Sequence, residues 1–206
     1  ASLLLGLDVG TTSIKAVVYR PDGIAVASAA APTPTHVPRP RWAYYRANEL
    51  WATVVDVIRR AVAEIADPNQ IVSVAVASVA EAGVLLDAAG EATVDVIAWY
   101  DTRTRPQSDW LGEYVGADAL FARTGLSLQP IFSLCKMLWY REHEPEAWRR
   151  SVHWLLIDEY IAFKLSGERG SEPSQASRTM LMNLHDLTWD QEILDKVEIE
   201  ARMLPP

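Results

Sequence analysis

The stretch that decides the fold is GLDVGTTSIKAVVYRPDG, residues 6 to 23. An apolar run ends at Asp8, small hydroxyl residues follow, and a second apolar run begins. Pro21-Asp22-Gly23 is a strong turn signal, and a third apolar run comes after it. The pattern predicts an antiparallel meander of three strands, over residues 3 to 8, 14 to 20 and 24 to 30.

The polar turn between the first two strands has the composition of a phosphate-binding loop. Glycine lets the backbone approach an anion closely, hydroxyl groups donate hydrogen bonds, and a lysine supplies charge. The turn provides these types as Gly10, Thr11, Thr12, Ser13 and Lys15. Asp8 is the kind of hard oxygen ligand that accompanies nucleotide-bound magnesium.

The spacing in this turn does not match either of the common phosphate-loop motifs. It differs from both the G-x-x-x-x-G-K-[ST] loop and the G-x-G-x-x-G fingerprint. Asp, Gly, Thr and Ser are also frequent in ordinary hairpin turns, where they form local hydrogen bonds. The turn by itself therefore leaves two interpretations open, phosphate binding and a polar hairpin.

The remainder of the chain predicts an α/β domain. A helical pattern over residues 48 to 65 precedes IVSVAVA, residues 71 to 77, which is expected to be a strand buried on both faces. Residues 84 to 87 read as a further strand, and helical patterns dominate from residue 102 onward. Strands followed by helices that cross between strands indicate an α/β fold. We expect one domain with a helical insertion at about residues 103 to 150.

Composition and charge exclude several classes of protein. Half of the 206 residues are hydrophobic, and the mean hydropathy is near zero, which is typical of a folded protein. The net charge is −8 and no basic cluster occurs, so neither nucleic acid nor a membrane is expected as a partner. Cys135 is the only cysteine, which excludes an intrachain disulfide.

A cytoplasmic location is the expectation. The apolar start, ASLLLGL, lacks the basic leader of a signal peptide, and Asp8 ends the apolar run too early for the hydrophobic segment of one. No apolar run approaches the roughly 20 residues that a membrane span needs.

Four later segments, together with the opening stretch, form an ordered set of motifs: IAWYDTRT (97 to 104), TGLSLQPIFSLCKMLWYRE (124 to 142), HWLLIDEYIAFKLSGE (153 to 168) and SQASRTMLMNLHDLTWDQEILDKVEIEARMLPP (174 to 206). Each segment is weak alone, but five in the same order are strong. Through them the chain resembles, along almost its whole length, the N-terminal domain of the FGGY carbohydrate kinases, in the actin-like superfamily. The resemblance implies an actin-like (ribonuclease H-like) ATPase domain, with a mixed five-stranded sheet, an antiparallel N-terminal meander and flanking helices.

The resemblance implies a kinase that transfers the γ-phosphate of ATP to a hydroxyl of a sugar or polyol, with Mg²⁺ as cofactor. Asp8 would hold the magnesium, directly or through water. The turn that begins at Gly10 would face the β- and γ-phosphates through the hydroxyls of Thr11, Thr12 and Ser13. Lys15 stands where glycerol kinases carry an arginine, and either cation can neutralise developing phosphoryl charge.

On the substrate side, the resemblance implies contacts from Glu81, Trp99, Asp101 and Arg103. Glu81 falls where glycerol kinases carry a glutamate that holds a hydroxyl, and a carboxylate beside an indole face suits a polyol. Ala80 and Ile131 replace an arginine and a tyrosine of glycerol kinases, so the identity of the sugar stays open.

Two of these assignments have structural alternatives. Trp99 is also explained as an ordinary core aromatic residue. Asp101 and Arg103 are equally well explained as a buried ion pair that shapes the loop without touching the substrate.

The FGGY kinases resemble a clamp of two lobes, and this chain is expected to be the first lobe, residues 1 to 206. No catalytic residue is expected in residues 1 to 206, because the resemblance places the general base beyond Pro206. The C-terminal lobe, with most nucleotide contacts, is then absent, so this fragment is expected to fold without phosphorylating sugar.

The expected partners are a small sugar or polyol and the C-terminal lobe of the same protein, and homo-oligomer formation stays open. The alternative function is a non-catalytic actin-like module that binds a ligand or a partner.

Overall fold

The main sheet of the computed structural model, which describes residues 2 to 206, contains the predicted meander. Its strands have the order β3-β2-β1-β6, with β1 antiparallel to β2 and parallel to β6. The order confirms the prediction that the first strand lies between its hairpin partner and the strand near residue 71. All strands, in chain order, are β1 (Leu3–Val9), β2 (Ser13–Tyr19), β3 (Ala25–Pro32), β4 (His36–Arg39), β5 (Trp42–Tyr45), β6 (Ile71–Ser78), β7 (Gly83–Leu86), β8 (Val96–Ile97) and β9 (His153–Leu156).

Helices cover the main sheet and fill the second half of the chain. Helices α2 to α5 occupy the stretch predicted to be a helical insertion, and one π-helical turn, Gly112–Gly116, joins the first two of them. The helices are α1 (Ala47–Val62), α2 (Arg105–Leu111), α3 (Ala117–Thr124), α4 (Ser133–His143), α5 (Pro145–Arg150), α6 (Ile157–Ser166), α7 (Pro173–Ala176) and α8 (Gln191–Val197). No helix within residues 2 to 206 combines the length and apolar character needed to span a membrane.

Within residues 2 to 206, one hydrophobic core forms where α1 packs on β2 and β3. Leu5 and Leu7 are buried and alternate with more exposed neighbours along β1, as the two-residue period of a strand requires. Leu50 and Val54 recur at helical spacing in α1 and are fully buried. Another core forms around α4 and α8, so the main sheet and these two helices are each packed on apolar side chains.

The prediction that residues 71 to 77 are buried on both faces is wrong. β6 is an edge strand of the main sheet, and Val72 and Val74 keep 64% and 45% of their surface exposed. A run of β-branched residues predicts strand conformation, but it does not report what covers the strand. Within residues 2 to 206, β6 pairs along only one edge, with β1.

The main sheet in residues 2 to 206 has four strands rather than the expected five. The predicted strand at residues 84 to 87 is present as β7, but it pairs antiparallel with β9 in a separate two-stranded sheet. The chain leaves the main sheet after β6, where Glu81 adopts a left-handed backbone conformation with a φ of 64°. This turn directs β7 away from the edge of β6.

Replacement of Gly83 by alanine should destabilise the protein. A Cβ atom there would lie 2.2 Å from Cζ2 of Trp154, a buried side chain on β9. Overpacking of this kind costs about 1–3 kcal/mol in the free energy of unfolding. Urea denaturation of the variant measures the loss.

Trp154→Phe supplies the matched background for this test. The buried indole nitrogen of Trp154 has no hydrogen-bond partner in residues 2 to 206, so phenylalanine removes bulk without breaking a hydrogen bond. Gly83→Ala should therefore cost less in the phenylalanine background than in the wild type. Equal losses in the two backgrounds would contradict the proposed contact.

Glu159 should make the stability of the protein depend on pH. The pKa of this carboxyl is raised from 4.5 to about 7, mainly by burial and also by the neighbouring charges of Asp158 and Glu172, while hydrogen bonds from Ser171 and the Leu156 backbone oppose the rise. Because the folded pKa lies above the ordinary value, the stabilisation is complete below pH 4.5 and is lost as the pH rises through about 7.

Glu159→Gln tests this dependence, since glutamine still offers an acceptor to the Leu156 amide, which lies 2.7 Å from the carboxylate. Urea unfolding at about pH 5 and about pH 8 should show a smaller loss of stability in the variant than in the wild type. Identical pH profiles would remove Glu159 as the titrating group.

Candidate functional site

A groove of about 430 Å³ opens at the carboxyl ends of β1 and β6. The two strands are parallel, so they end at the same edge of the sheet, and the amide of Val79 extends their ladder by donating to the Val9 carbonyl at 2.9 Å. The structure brings five of the predicted site residues to this groove. Its lining comprises Asp8, Gly10, Thr11, Ser78, Val79, Glu81, Trp99, Ile131 and Arg178.

The turn between β1 and β2 is held in shape by hydrogen bonds at both ends. The Gly10 amide donates to the Ser13 carbonyl at 3.0 Å. Thr33, just after β3, donates from its hydroxyl to the Gly10 carbonyl at 2.7 Å and from its amide to the Thr12 carbonyl at 3.0 Å. A Cβ atom on Gly10 would lie 3.0 Å from the Ser13 carbonyl and 3.7 Å from Asp8 Oδ1, so a glycine suits the tight turn.

The polar side chains that follow in this turn are available to a ligand. Thr12 and Ser13 are exposed, and their hydroxyls have no hydrogen-bond partner in residues 2 to 206. Lys15 is exposed and stands directly opposite Asp8 in the register of β1 and β2, so the two side chains share one face of the sheet. A carboxylate, two hydroxyls and an ammonium group therefore surround the turn.

Trp99 connects this turn to the opposite side of the groove. Its indole Nε1 donates a hydrogen bond to the Thr11 hydroxyl at 3.0 Å, across 88 positions of sequence. The ring is half-buried and meets Tyr100 edge-on at 5.6 Å between centroids. Trp99 is thus a wall of the groove as well as a packed aromatic residue.

Glu81 faces the groove from a constrained position. Its φ of 64° is rare for a residue with a side chain, and such strain is concentrated at functional sites. The Ser133 hydroxyl donates to its backbone carbonyl at 3.3 Å. Arg178 donates to carboxylate oxygen Oε1, while Oε2 has no partner in residues 2 to 206.

Arg178 is a groove residue that sequence reasoning missed. It lies in a 3₁₀ turn, Ser177–Thr179, that follows α7. The side-chain amide of Gln175 ties this segment to the end of β6 by donating to the Ser78 carbonyl at 3.4 Å. No local pattern signals the pairing, because Arg178 and Glu81 are 97 residues apart.

Asp101 and Arg103 lie outside the groove lining. They form a buried ion pair with two short contacts, 2.8 Å from Nη2 to Oδ2 and 3.0 Å from Nε to Oδ1. Asp101 also accepts from the Ala43 amide at 2.6 Å, and the Arg103 guanidinium lies 4.0 Å from the centre of the Trp42 ring. This geometry fits the structural alternative, in which the pair shapes the loop that carries Trp99.

Pro206, beyond which the general base is expected, is not itself a residue of the groove. It lines a separate cavity of about 290 Å³, together with Ser171 and Trp189. The Pro206 carbonyl accepts a hydrogen bond from the Ser171 amide at 3.3 Å, and the Pro205 carbonyl accepts one from the Trp189 indole at 2.7 Å. Pro206 therefore packs on the helical part of the chain, and the position of the general base stays a prediction.

A buried lysine lies behind the wall of the groove at Ile131. Lys136 is fully buried on α4 and donates to the backbone carbonyl of Ile131, which lines the groove. Burial lowers the pKa of Lys136 to about 8, while the carboxylates of Glu81 and Asp101 oppose that shift. Lys136 therefore stabilises the backbone at Ile131 by a hydrogen bond and does not itself line the groove.

The residues present fit a magnesium ion that arrives with a nucleotide. No group of three or more His, Cys, Asp or Glu side chains within residues 2 to 206 could hold a metal alone. Magnesium in nucleotide sites is bound through one or two carboxylates and completes its shell with phosphate oxygens and water. Asp8, exposed beside the tight turn at Gly10, meets that requirement.

Comparison with known proteins identifies relatives over the full chain. Residues 3–206 match the N-terminal domain model of the FGGY family of carbohydrate kinases. A glycerol kinase of Enterococcus faecalis is 34% identical over 209 residues, which cover 98% of this chain and 42% of that protein. The chain thus spans well under half the length of this relative.

Solved structures agree with this assignment. A xylulose kinase from Lactobacillus acidophilus matches with a TM-score of 0.92 and 28% identity, over 100% of this chain and 41% of that one. A gluconate kinase from the same organism matches with a TM-score of 0.92 and 28% identity, over 99% and 41%. These similarities confirm the predicted actin-like α/β fold.

The bond between Trp99 and Thr11 can be tested on this chain. Thr11→Val removes the acceptor, so the indole N–H of Trp99 should exchange with solvent faster and its nitrogen–proton resonance should shift. Thr12→Val is the matched control, because the Thr12 hydroxyl has no partner in residues 2 to 206. NMR spectra of the indole groups measure both effects. An unchanged Trp99 signal in the Thr11 variant would contradict the contact.

Proposed function

Because this chain belongs to the FGGY family of carbohydrate kinases and matches the N-terminal domain of that family, we propose that it is the first lobe of an ATP-dependent sugar or polyol kinase. The reaction is transfer of the γ-phosphate of ATP to a hydroxyl of the substrate. The proposal rests on one observation. Trp99 forms a hydrogen bond to Thr11, in the turn whose composition suits phosphate, and it lines the same groove as Glu81, whose carboxylate suits a polyol hydroxyl.

The phosphate side of the groove uses donors on the turn after β1. The Thr12 and Ser13 hydroxyls donate to the phosphate oxygens of ATP, and Lys15 neutralises part of their charge. Asp8 holds magnesium, which when bound supplies positive charge against the transferred phosphoryl group. Gly10 permits close approach because its position has no side chain.

The substrate side uses a carboxylate and an aromatic face. Oε2 of Glu81 accepts a hydrogen bond from a substrate hydroxyl, since Arg178 occupies only Oε1. The Trp99 ring packs on the carbon chain, and Ile131 forms the apolar wall nearby. The buried pair of Asp101 and Arg103 positions the loop of Trp99 rather than the sugar.

The rest of the catalytic machinery is proposed to lie beyond Pro206, in other parts of a longer protein. Because the glycerol kinase relative is more than twice as long as the match, we propose a C-terminal lobe that carries the general base and most nucleotide contacts. Closure of two lobes over the groove would exclude water during transfer. We place this enzyme in the cytoplasm, and homo-oligomer formation stays open.

In the full-length protein, Glu81→Ala and Trp99→Ala should impair sugar use more than ATP use. Each variant removes a contact to the substrate, so the KM for sugar should rise roughly 10- to 100-fold. The KM for ATP should change little. A coupled assay of ATP consumption that varies each substrate separately, against a panel of polyols and ketoses, measures the difference.

Arg149→Met is the matched control for these variants. Arg149 pairs with Glu146 at an exposed position of α5 and should leave both KM values unchanged. An equal effect of the groove variants on both substrates would contradict the assignment of the substrate wall. Absence of any sugar-dependent ATP consumption by the wild type would favour the non-catalytic binding module.

A further inference from the structure

Arg178 is the only cationic side chain that lines the groove within residues 2 to 206, and it already forms an ion pair with Glu81. Its Nε and Nη2 atoms lie 2.7 and 2.6 Å from the same carboxylate oxygen, Oε1. The Glu81 side chain is 9% exposed and that of Arg178 is 38% exposed. The guanidinium also lies 5.3 Å from the centre of the Phe132 ring, which restricts its movement.

The position of Glu81 is fixed from three sides. Its backbone is held in the left-handed region, its carbonyl accepts from Ser133, and its carboxylate accepts from Arg178. The second carboxylate oxygen, Oε2, is left without a protein partner in the described residues. Such an oxygen accepts a hydrogen bond from a neutral hydroxyl and repels another carboxylate.

The charges that line the groove disfavour an anionic substrate. Asp8 and Glu81 contribute two carboxylates, against the single guanidinium of Arg178. Magnesium at Asp8 would arrive together with the negatively charged phosphates of ATP, so it would not supply an unpaired cation for the sugar. A sugar acid would therefore meet like charges and find no free cation in the lining.

We propose that Arg178 is a positioning residue for Glu81, and that the groove selects neutral polyols and ketoses over sugar acids. This inference rests on the proposed function and specifies its substrate class. Both classes occur among the similar structures, which include a xylulose kinase and a gluconate kinase, so family membership alone does not decide between them.

The test uses the full-length protein and matched pairs of substrates. Each neutral compound is paired with its acid: glycerol with glycerate, xylitol with xylonate, and glucitol with gluconate. The wild type should use the best neutral compound with a kcat/KM at least about 100-fold above that of its acid. If the acid and the neutral compound of a pair have comparable kcat/KM values, the inference about substrate class is overturned, whereas the proposed kinase function is supported.

Glu81→Gln is the decisive variant, because it removes one negative charge at nearly constant shape and releases the Arg178 guanidinium. The ratio of kcat/KM for the acid to that for the neutral partner should rise at least about 10-fold. Arg178→Met should raise the KM for the neutral compound about 10-fold with little change in kcat, without any gain for the acid. Arg178→Lys should restore part of that loss.

A gain in kcat/KM for the acid in Glu81→Gln, without such a gain in Arg178→Met, is what a purely structural role would not produce. Thermal unfolding checks that each variant is folded, with Arg149→Met as the control for loss of an exposed arginine. If Arg178→Met is unfolded, Glu81→Gln still decides the charge selection, and a raised KM for the neutral compound in Arg178→Lys decides the positioning role. Equal losses for both substrate classes in Glu81→Gln would overturn the proposal.

Direct binding separates failure of the inference from failure of the proposed function. NMR titration of the wild type with glycerol and glycerate should shift the Trp99 indole resonance with glycerol only. If no compound is phosphorylated but this selectivity persists, the kinase function fails and the charge selection stands. Binding of glycerate as tight as that of glycerol would overturn the charge selection.

Discussion

Parallel pairing of β1 with β6 is the constraint on which the rest of the site depends. Because parallel strands end at the same edge of a sheet, the turn after Val9 and the loop after Ser78 must meet there. The hydrogen bond between the Val79 amide and the Val9 carbonyl carries this pairing to the mouth of the groove. This pairing brings Asp8 and Gly10 of the turn into one groove with Glu81 of the loop.

Buried charged residues also stabilise the loops at this edge of the main sheet. The Asp101–Arg103 pair holds the loop of Trp99, and Lys136 braces the wall at Ile131. Buried charges of this kind persist only where partners satisfy them, and Asp101, through the Ala43 amide, ties the loop of Trp99 to a distant segment. Within the groove itself, Trp99 is positioned by its hydrogen bond to Thr11 and Glu81 by its ion pair with Arg178.

Much of the fold could be predicted from sequence because local chemistry specifies it. The meander followed from apolar runs separated by turn residues, and the helices from apolar spacing. Two predictions were wrong for a common reason. Burial of residues 71 to 77 and the number of strands in the main sheet depend on neighbours, which a strand pattern does not report.

For the site, sequence alone determined the chemistry of the turn: the carboxylate of Asp8, the small Gly10 and the hydroxyls that follow. It left open whether Asp101 and Arg103 touch substrate, and it contained no sign of Arg178. Only the tertiary structure placed the Asp101–Arg103 pair outside the groove lining and brought Arg178 to Glu81, since these last two residues are 97 positions apart. Residue types and their local spacing carry information about turns and helices, whereas the pairing of distant charges exists only after the chain has folded.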